Sequence, residues 1–198
     1  MGGAHVNAAT ESRAVAPAAG PVLLTGGSGR LGSELRALLP QLGWHDLLAP
    51  RSGQLDVTNA AGVASYAREH LPRLVVHAAA YTNVAQAEDQ RDLCWRVNVE
   101  GTRNLVAAAR SVGAAFVLVS TDYVFYGDAR QADGAGAGYR EDDTPGPVRN
   151  YYSLTKLVAE EAARAYENSL VLRTSFRPRE WPYPVAYDDL FTTQDYVD

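Results

Sequence analysis

Short runs of consecutive apolar residues recur along the chain, separated by stretches with helical periodicity. Pro21-Val22-Leu23-Leu24 is the first run, and Ser33 to Leu39 after it reads as a helix. Trp44 to Ala49 is a second strand candidate, short and interrupted by polar residues. Asn59 to His70 follows as a helix, with Thr58 or Asn59 as its cap. Leu74 to His77 is the third strand. A long helix then covers Leu93 to Val112 and stops at Gly113. Phe116 to Ser120 is the fourth strand, Tyr152 to Glu167 the next helix, and Leu170 to Leu172 the fifth strand. Continuous apolar strands that alternate with helices belong to a parallel sheet covered on both faces. The expected fold class is α/β, a doubly wound parallel sheet without internal repeats.

Ligands of such sheets bind beyond the carboxyl ends of the strands. The chemistry-bearing residues fall there. Thr25-Gly26-Gly27-Ser28-Gly29-Arg30-Leu31-Gly32 follows the first strand and opens the first helix. It satisfies two glycine frames at once, Gly27-x-Gly29-x-x-Gly32 and the wider Gly26-x-x-Gly29-x-x-Gly32. Glycines let the backbone approach a pyrophosphate, whose charge the helix N-terminus favours, so the fold is read as a dinucleotide-binding Rossmann fold. Arg51 and Ser52 follow the second strand, where no acidic residue stands to hold a ribose 2′-hydroxyl. They could instead accept a 2′-phosphate, so NADPH is expected over NADH. Ala78-Ala79-Ala80-Tyr81-Thr82 follows the third strand and Thr121-Asp122-Tyr123 the fourth.

Composition narrows the setting. At 198 residues the chain holds one domain, or one domain and a fragment of another. A net charge of −5 argues against nucleic acid as a partner. No apolar run is long enough to span a bilayer. The single cysteine, Cys94, excludes an internal disulfide, suits a reducing compartment and reads as a small buried hydrophobe. A cytoplasmic location is expected. Residues 1–20 lack periodicity and the features of a secretion signal, and read as a disordered tail. The dinucleotide-binding domain is placed at residues 21–175. Residues 176–198 are placed as the start of an incomplete substrate-binding region.

Tyr152 and Lys156 are the catalytic candidates, because a spacing of four puts both on one helix face. A phenol titrates near pH 10, too high for acid-base work at neutral pH. A neighbouring ammonium favours the phenolate, so Lys156 is expected to lower the Tyr152 pKa. Thr121, at the end of the fourth strand, offers a hydroxyl to hold a carbonyl oxygen. No residue is assigned to a metal.

These motifs together resemble the extended short-chain dehydrogenases/reductases, and within them the dTDP-4-dehydrorhamnose reductase (sugar-nucleotide-binding) family. The resemblance runs from about residue 21 to 176. It rests on the glycine loop, Leu55-Asp56-Val57-Thr58, His77-Ala78-Ala79-Ala80-Tyr81-Thr82-Asn83-Val84, Val97-Asn98-Val99-Glu100-Gly101-Thr102, Ser120-Thr121-Asp122-Tyr123-Val124-Phe125, Tyr152-Ser153-Leu154-Thr155-Lys156 and Leu172-Arg173-Thr174-Ser175. It implies NADPH or NADH as cofactor and reduction of a 4-keto group on a nucleotide-linked deoxysugar. By this resemblance Tyr152 would protonate the oxygen, Lys156 would hold the ribose and Thr121 would position the carbonyl. Gly26, Gly29, Arg30, Leu31 and Gly32 would line the cofactor, with Asp56 and Val57 by the adenine and Ala78, Ala79, Ala80 and Tyr81 along its length. Ser120 and Arg173 would complete the cofactor side, and Thr82, Asp122 and Tyr123 would face the substrate. Asn98 would lie near the floor of the site, and reads equally as a relay or as a polar residue inside a helix. Asp56 reads equally as the cap of a turn.

Three departures qualify the resemblance. Ser153 stands where a glycine commonly follows the active-site tyrosine. The loop Gly127 to Gly138 is expanded, and reads as a lid or a plain surface loop. The region beginning Arg177-Pro178-Arg179 is short, with its two arginines set to meet a diphosphate or solvent. Two other readings therefore stand beside the reductase. One is a cofactor-binding regulatory or scaffold subunit. The other is an epimerase or dehydratase of the same superfamily, which Ser120-Thr121-Asp122-Tyr123 disfavours. A homodimer is left open.

Overall fold

The computed structural model describes residues 20–125 and 139–175. The expected tail, the Gly127–Gly138 loop and the region from residue 176 onward lie outside the described residues. Five strands form one sheet: β1 (Val22–Thr25), β2 (Leu47–Leu48), β3 (Leu74–His77), β4 (Ala115–Thr121) and β5 (Ser169–Thr174). Their order is β2-β1-β3-β4-β5, and every pairing is parallel. The order reverses between β1 and β3, so the crevice for a ligand opens at the carboxyl ends of those two strands.

Five α-helices connect the strands: α1 (Arg30–Gln41), α2 (Ala60–His70), α3 (Arg91–Trp95), α4 (Gly101–Val112) and α5 (Tyr151–Arg164). Asn59 is the cap of α2, its side chain accepting from Gly62 N at 3.0 Å. Gly113 ends α4 in the left-handed region at φ 70°, a conformation that glycine adopts without steric cost. One face of the sheet carries Val75, Phe116 and Leu118, which pack with Val63, Ala67, Leu105, Ala109, Ala159 and Ala163 from α2, α4 and α5. Leu170 and Leu172 of β5 stand exposed among the described residues.

The structure departs from the expected elements in two places. The second strand is only two residues long, because its polar flanks sustain no more parallel pairing to β1 than that. Its continuation, Leu55 to Val57, is buried at Leu55 and Val57 without pairing as a strand. The long helix expected from Leu93 to Val112 is helical throughout but not uniform. Between α3 and α4 lies a π-helical turn, Arg96–Glu100, a form that is rare and often marks functional sites.

Candidate functional site

The glycine loop leaves β1 and enters α1 against the end of β3. Gly26 has φ +77°, and a Cβ there would lie 2.5 Å from Ala79 N and 2.6 Å from the Ala78 carbonyl carbon. A Cβ on Gly32 would collide with the Gly26 carbonyl oxygen and stand 2.7 Å from Gly27 Cα. The chain's own backbone therefore demands glycine at 26 and 32, which favours the wider of the two glycine frames. Gly29 differs. Its φ of −76° is open to any residue, and a Cβ there would meet only the Gly26 oxygen at 3.3 Å. A Cβ there is crowded by that one oxygen and otherwise faces open space. No side chain caps α1 and no acidic residue stands in its first turn, so its leading N–H groups are available to an anion. The loop fits a pyrophosphate.

Beneath the loop, His77 and Thr25 tie β3 to β1 through a 2.7 Å hydrogen bond between Nδ1 and Oγ1. Burial, and secondarily the Lys156 ammonium, push the His77 pKa down to about 3. In the unfolded chain the same imidazole titrates near pH 6.5. The unfolded state therefore binds more protons between those two values, and stability present above pH 6.5 is lost as pH falls toward 3. We expect urea unfolding to show this loss with a slope of up to about 1.4 kcal/mol per pH unit from this one group. The stability difference between wild type and His77→Asn should shrink on acidification; a difference independent of pH would exclude His77 as its source.

On the other side of the crevice, α5 lies along β4. Asn150 caps α5, accepting from Ser153 N at 2.7 Å. The face it turns inward carries Tyr152, Ser153, Thr155, Lys156, Ala159 and Glu160. Lys156 is the chain's only lysine. Its Nζ donates to the Val119 carbonyl at 2.8 Å. Tyr152 hydrogen-bonds the Thr121 hydroxyl, and its ring meets Tyr123 edge-on at 6.3 Å. The Thr121 hydroxyl also donates to Asp122 Oδ1 and accepts from Tyr123 N, both at 3.2 Å. The structure thus brings Thr121, Asp122, Tyr123, Tyr152 and Lys156 into one cluster.

The expected direction of the Tyr152 shift is corrected. Burial raises its pKa to about 12, against a smaller lowering from the Thr121 hydrogen bond. Burial also depresses Lys156 to about 8, which the charge of Glu160 partly offsets. The ammonium is directed at the Val119 carbonyl, so in this chain it does not set the phenol. Tyr152 is accordingly a protonated donor at neutral pH. Burial likewise raises the Asp122 carboxyl and the Cys94 thiol. Cys94 is fully buried, the small hydrophobe its context suggested.

Asn98 is a fastener. From the π turn its Oδ1 accepts from Tyr81 N at 2.8 Å, while its Nδ2 donates to Tyr81 O at 3.2 Å and Thr155 Oγ1 at 2.9 Å. Thr155 in turn donates to the Tyr152 carbonyl at 2.7 Å. The loop after β3 is thereby pinned to the turn of α5 that presents Tyr152. Ala78, Ala79 and Ala80 line the crevice half-buried, and Thr82 is exposed beyond them.

Other expected residues lie apart from this cluster. Arg51 and Ser52 are exposed in the turn after β2, with Arg51 N donating to Gln54 Oε1 at 2.9 Å. Asp56 caps its own turn, accepting from Thr58 N at 2.9 Å and Thr58 Oγ1 at 2.8 Å. Arg173, expected on the cofactor side, donates from Nη2 to Glu160 Oε2 at 2.8 Å and lies over the Phe125 ring at 4.7 Å. Ser120 donates to Glu160 Oε1 at 2.5 Å. Glu160 was not anticipated; its signal is the spacing of four from Lys156, which continues the Tyr152–Lys156 face by one more turn. Among the described residues, no helix is long and apolar enough to cross a membrane.

The family described as the RmlD substrate binding domain matches residues 20–177. The chain is 45% identical over 140 residues to a dTDP-4-dehydrorhamnose reductase of Streptomyces griseus, covering 71% of this chain and 43% of that protein. It is 34% identical over 155 residues to methionine adenosyltransferase 2 subunit beta of Pongo abelii, covering 75% and 43%. Its fold is similar to the crystal structure of a dTDP-4-dehydrorhamnose reductase from Bacillus anthracis in complex with NADP. That match has a TM-score of 0.71 and 35% identity, covering 79% of this chain and 54% of the other. The chain spans about half the length of the relatives it matches. The parallel order of the strands, the glycine loop at the switch point and the extent of these matches agree: the chain belongs to the RmlD substrate binding domain family.

Proposed function

We propose that this chain carries the cofactor-binding half of an NAD(P)H-dependent reductase acting on a nucleotide-activated 4-keto-6-deoxysugar. The observation that carries the reading is the cluster of Tyr152, Thr121 and Lys156 across the crevice from the glycine loop. The loop from Gly26 to Gly32 would take the pyrophosphate, with Arg30 and Leu31 at the start of α1. Asp56 and Val57 would lie by the adenine, and Ala78 to Tyr81 along the cofactor. Lys156 spends one of its three donor hydrogens on Val119 and keeps the others for ribose hydroxyls. When bound, the reduced nicotinamide supplies a hydride to the carbonyl carbon. Tyr152 donates its phenolic proton to the carbonyl oxygen, and Thr121, already hydrogen-bonded to that phenol, orients the oxygen. Reduction needs a donor that begins protonated, which burial of Tyr152 ensures. The test is oxidation of NADPH against a panel of nucleotide-linked 4-keto sugars. In protein with a complete substrate-binding region, turnover of at least one is expected, and none at all would overturn the reading.

A second reading, a cofactor-binding regulatory subunit, is supported by the 34% identity to methionine adenosyltransferase 2 subunit beta. Tight NADPH binding with no turnover of any panel member would select it.

NADPH is proposed over NADH because Arg51 and Ser52 stand exposed after β2, with no acidic residue between them and Gln54. A guanidinium pairs bidentately with a phosphate and has no such partner in a 2′-hydroxyl. Dissociation constants for the two cofactors should favour NADPH, and Arg51→Ala should reduce the ratio. Equal constants in the wild type would refute the preference.

A further inference from the structure

Three side chains on one face of α5, each a turn apart, reach the last residues of β4. Tyr152 meets the Thr121 hydroxyl, Lys156 the Val119 carbonyl and Glu160 the Ser120 hydroxyl. The first two belong to the proposed reducing centre. The third is a fully buried carboxylate. It also accepts from Arg173 of β5, through Nε at 3.1 Å and Nη2 at 2.8 Å, and pairs with Arg164 at 3.4 Å.

We propose that Glu160 is a positioning residue of the site: through Ser120 and Arg173 it locks the ends of β4 and β5 to α5, and so seats the Lys156 ammonium at the Val119 carbonyl and Thr121 beside Tyr152. A buried ion pair is a poor device for stability, since apolar side chains of similar size do as well or better. It is a good device for register, because its geometry admits one alignment of helix against strand. Here that alignment matters at the adjacent residue, Thr121. The charge of Glu160 also favours the ammonium that burial disfavours. The other ionisable groups facing Lys156 are His77 from β3 and Cys94 from α3, with Arg173 and Arg164 beyond Glu160.

This inference rests on the reading of Tyr152 and Lys156 as the working pair, and its test does not require turnover. Because Lys156 is the only lysine, a chain grown with 13C-labelled lysine shows one lysine side-chain signal in NMR. Its titration reports Lys156 directly. Glu160→Gln should move that titration down by about one unit or more, the usual effect of losing an adjacent opposite charge. Glu160→Asp, which keeps the charge, should move it back. The pH above which NADPH affinity declines should follow the same order. If Glu160→Gln does not fold, Glu160→Gln/Arg173→Gln removes both charges together; loss of the guanidinium partly offsets loss of the carboxylate, and a smaller downward shift is expected because Glu160 acts on Lys156 more strongly than Arg173 does. An unmoved lysine titration in whichever variant folds would overturn the proposal, leaving Glu160 a structural residue. A shifted titration in a protein that reduces no 4-keto sugar would uphold Glu160 as the seat of Lys156 while the reductase reading fails.

Discussion

Tyr152→Phe should lower turnover of a nucleotide-linked 4-keto sugar by about 10²–10⁴-fold, the usual loss for a positioned general acid. The substitution removes one oxygen. The ring that remains still packs against Ala87 and Cys94 and still meets the edge of Tyr123. Only the hydrogen bond to Thr121 disappears, about 1 kcal/mol in stability, and Thr121 keeps its bonds to Asp122 and Tyr123. NADPH affinity and thermal midpoint should therefore stay close to those of the wild type while kcat collapses. The rates need protein with a complete substrate-binding region, since this chain spans about half of its relatives. If Tyr152→Phe reduced substrate as fast as the wild type, Tyr152 would not be the proton donor.

A pair of glycine substitutions should separate architecture from ligand approach. Gly32→Val sets a branched side chain against the backbone of Gly26 and Gly27, which cannot swing aside as a side chain could. Overpacking of this kind costs about 1–3 kcal/mol, more than the ~1 kcal/mol that replacing a helical glycine returns. In a protein of this size each kcal/mol lowers the thermal midpoint by about 2–4 °C. Gly29→Val meets only the Gly26 carbonyl oxygen, at 3.3 Å from its Cβ, so its midpoint should fall less than that of Gly32→Val. Its side chain would instead stand where the pyrophosphate approaches, and NADPH titration should show binding lost. Unchanged NADPH affinity in folded Gly29→Val would remove the loop from the site.

The two glycine roles could not be told apart from the sequence, which shows only their spacing. The architecture itself was legible there. Leu74 to His77 reads as a strand because an unbroken apolar run between turns has few other uses, and the strand falls on those residues. Gly113 reads as a stop because little else tolerates the left-handed turn found there. Tyr152 and Lys156 were legible through their spacing on a helix, whereas the direction of the Tyr152 shift was not. That direction depends on where the ammonium points, and it points at the Val119 carbonyl. Glu160 and Glu161 are adjacent and look alike as letters, yet one is buried and the other is two-thirds exposed. Arg173 is similar: a sequence does not say whether a guanidinium at a strand end faces a ligand or a carboxylate on the next helix.

The π turn at Arg96–Glu100 makes the length of this segment matter as much as its composition. A π turn holds one residue more than regular α-helix would use over the same rise. Deleting one residue there would restore ordinary winding and leave α3 and α4 in phase, whereas deleting one from the first regular turn of α4 would rotate the rest of α4 by about 100° relative to α3. At present Cys94 on one side and Leu105 and Ala109 on the other all face inward. After a deletion in α4 they could not do so together. A deletion inside the π turn would instead change the aim of Asn98 at Tyr81 and Thr155, and with it the tie between the loop after β3 and the turn that presents Tyr152. Substitutions along this helix change what it touches, but a change of length in its regular turns changes which way half of it faces, and one in the π turn changes where Asn98 points.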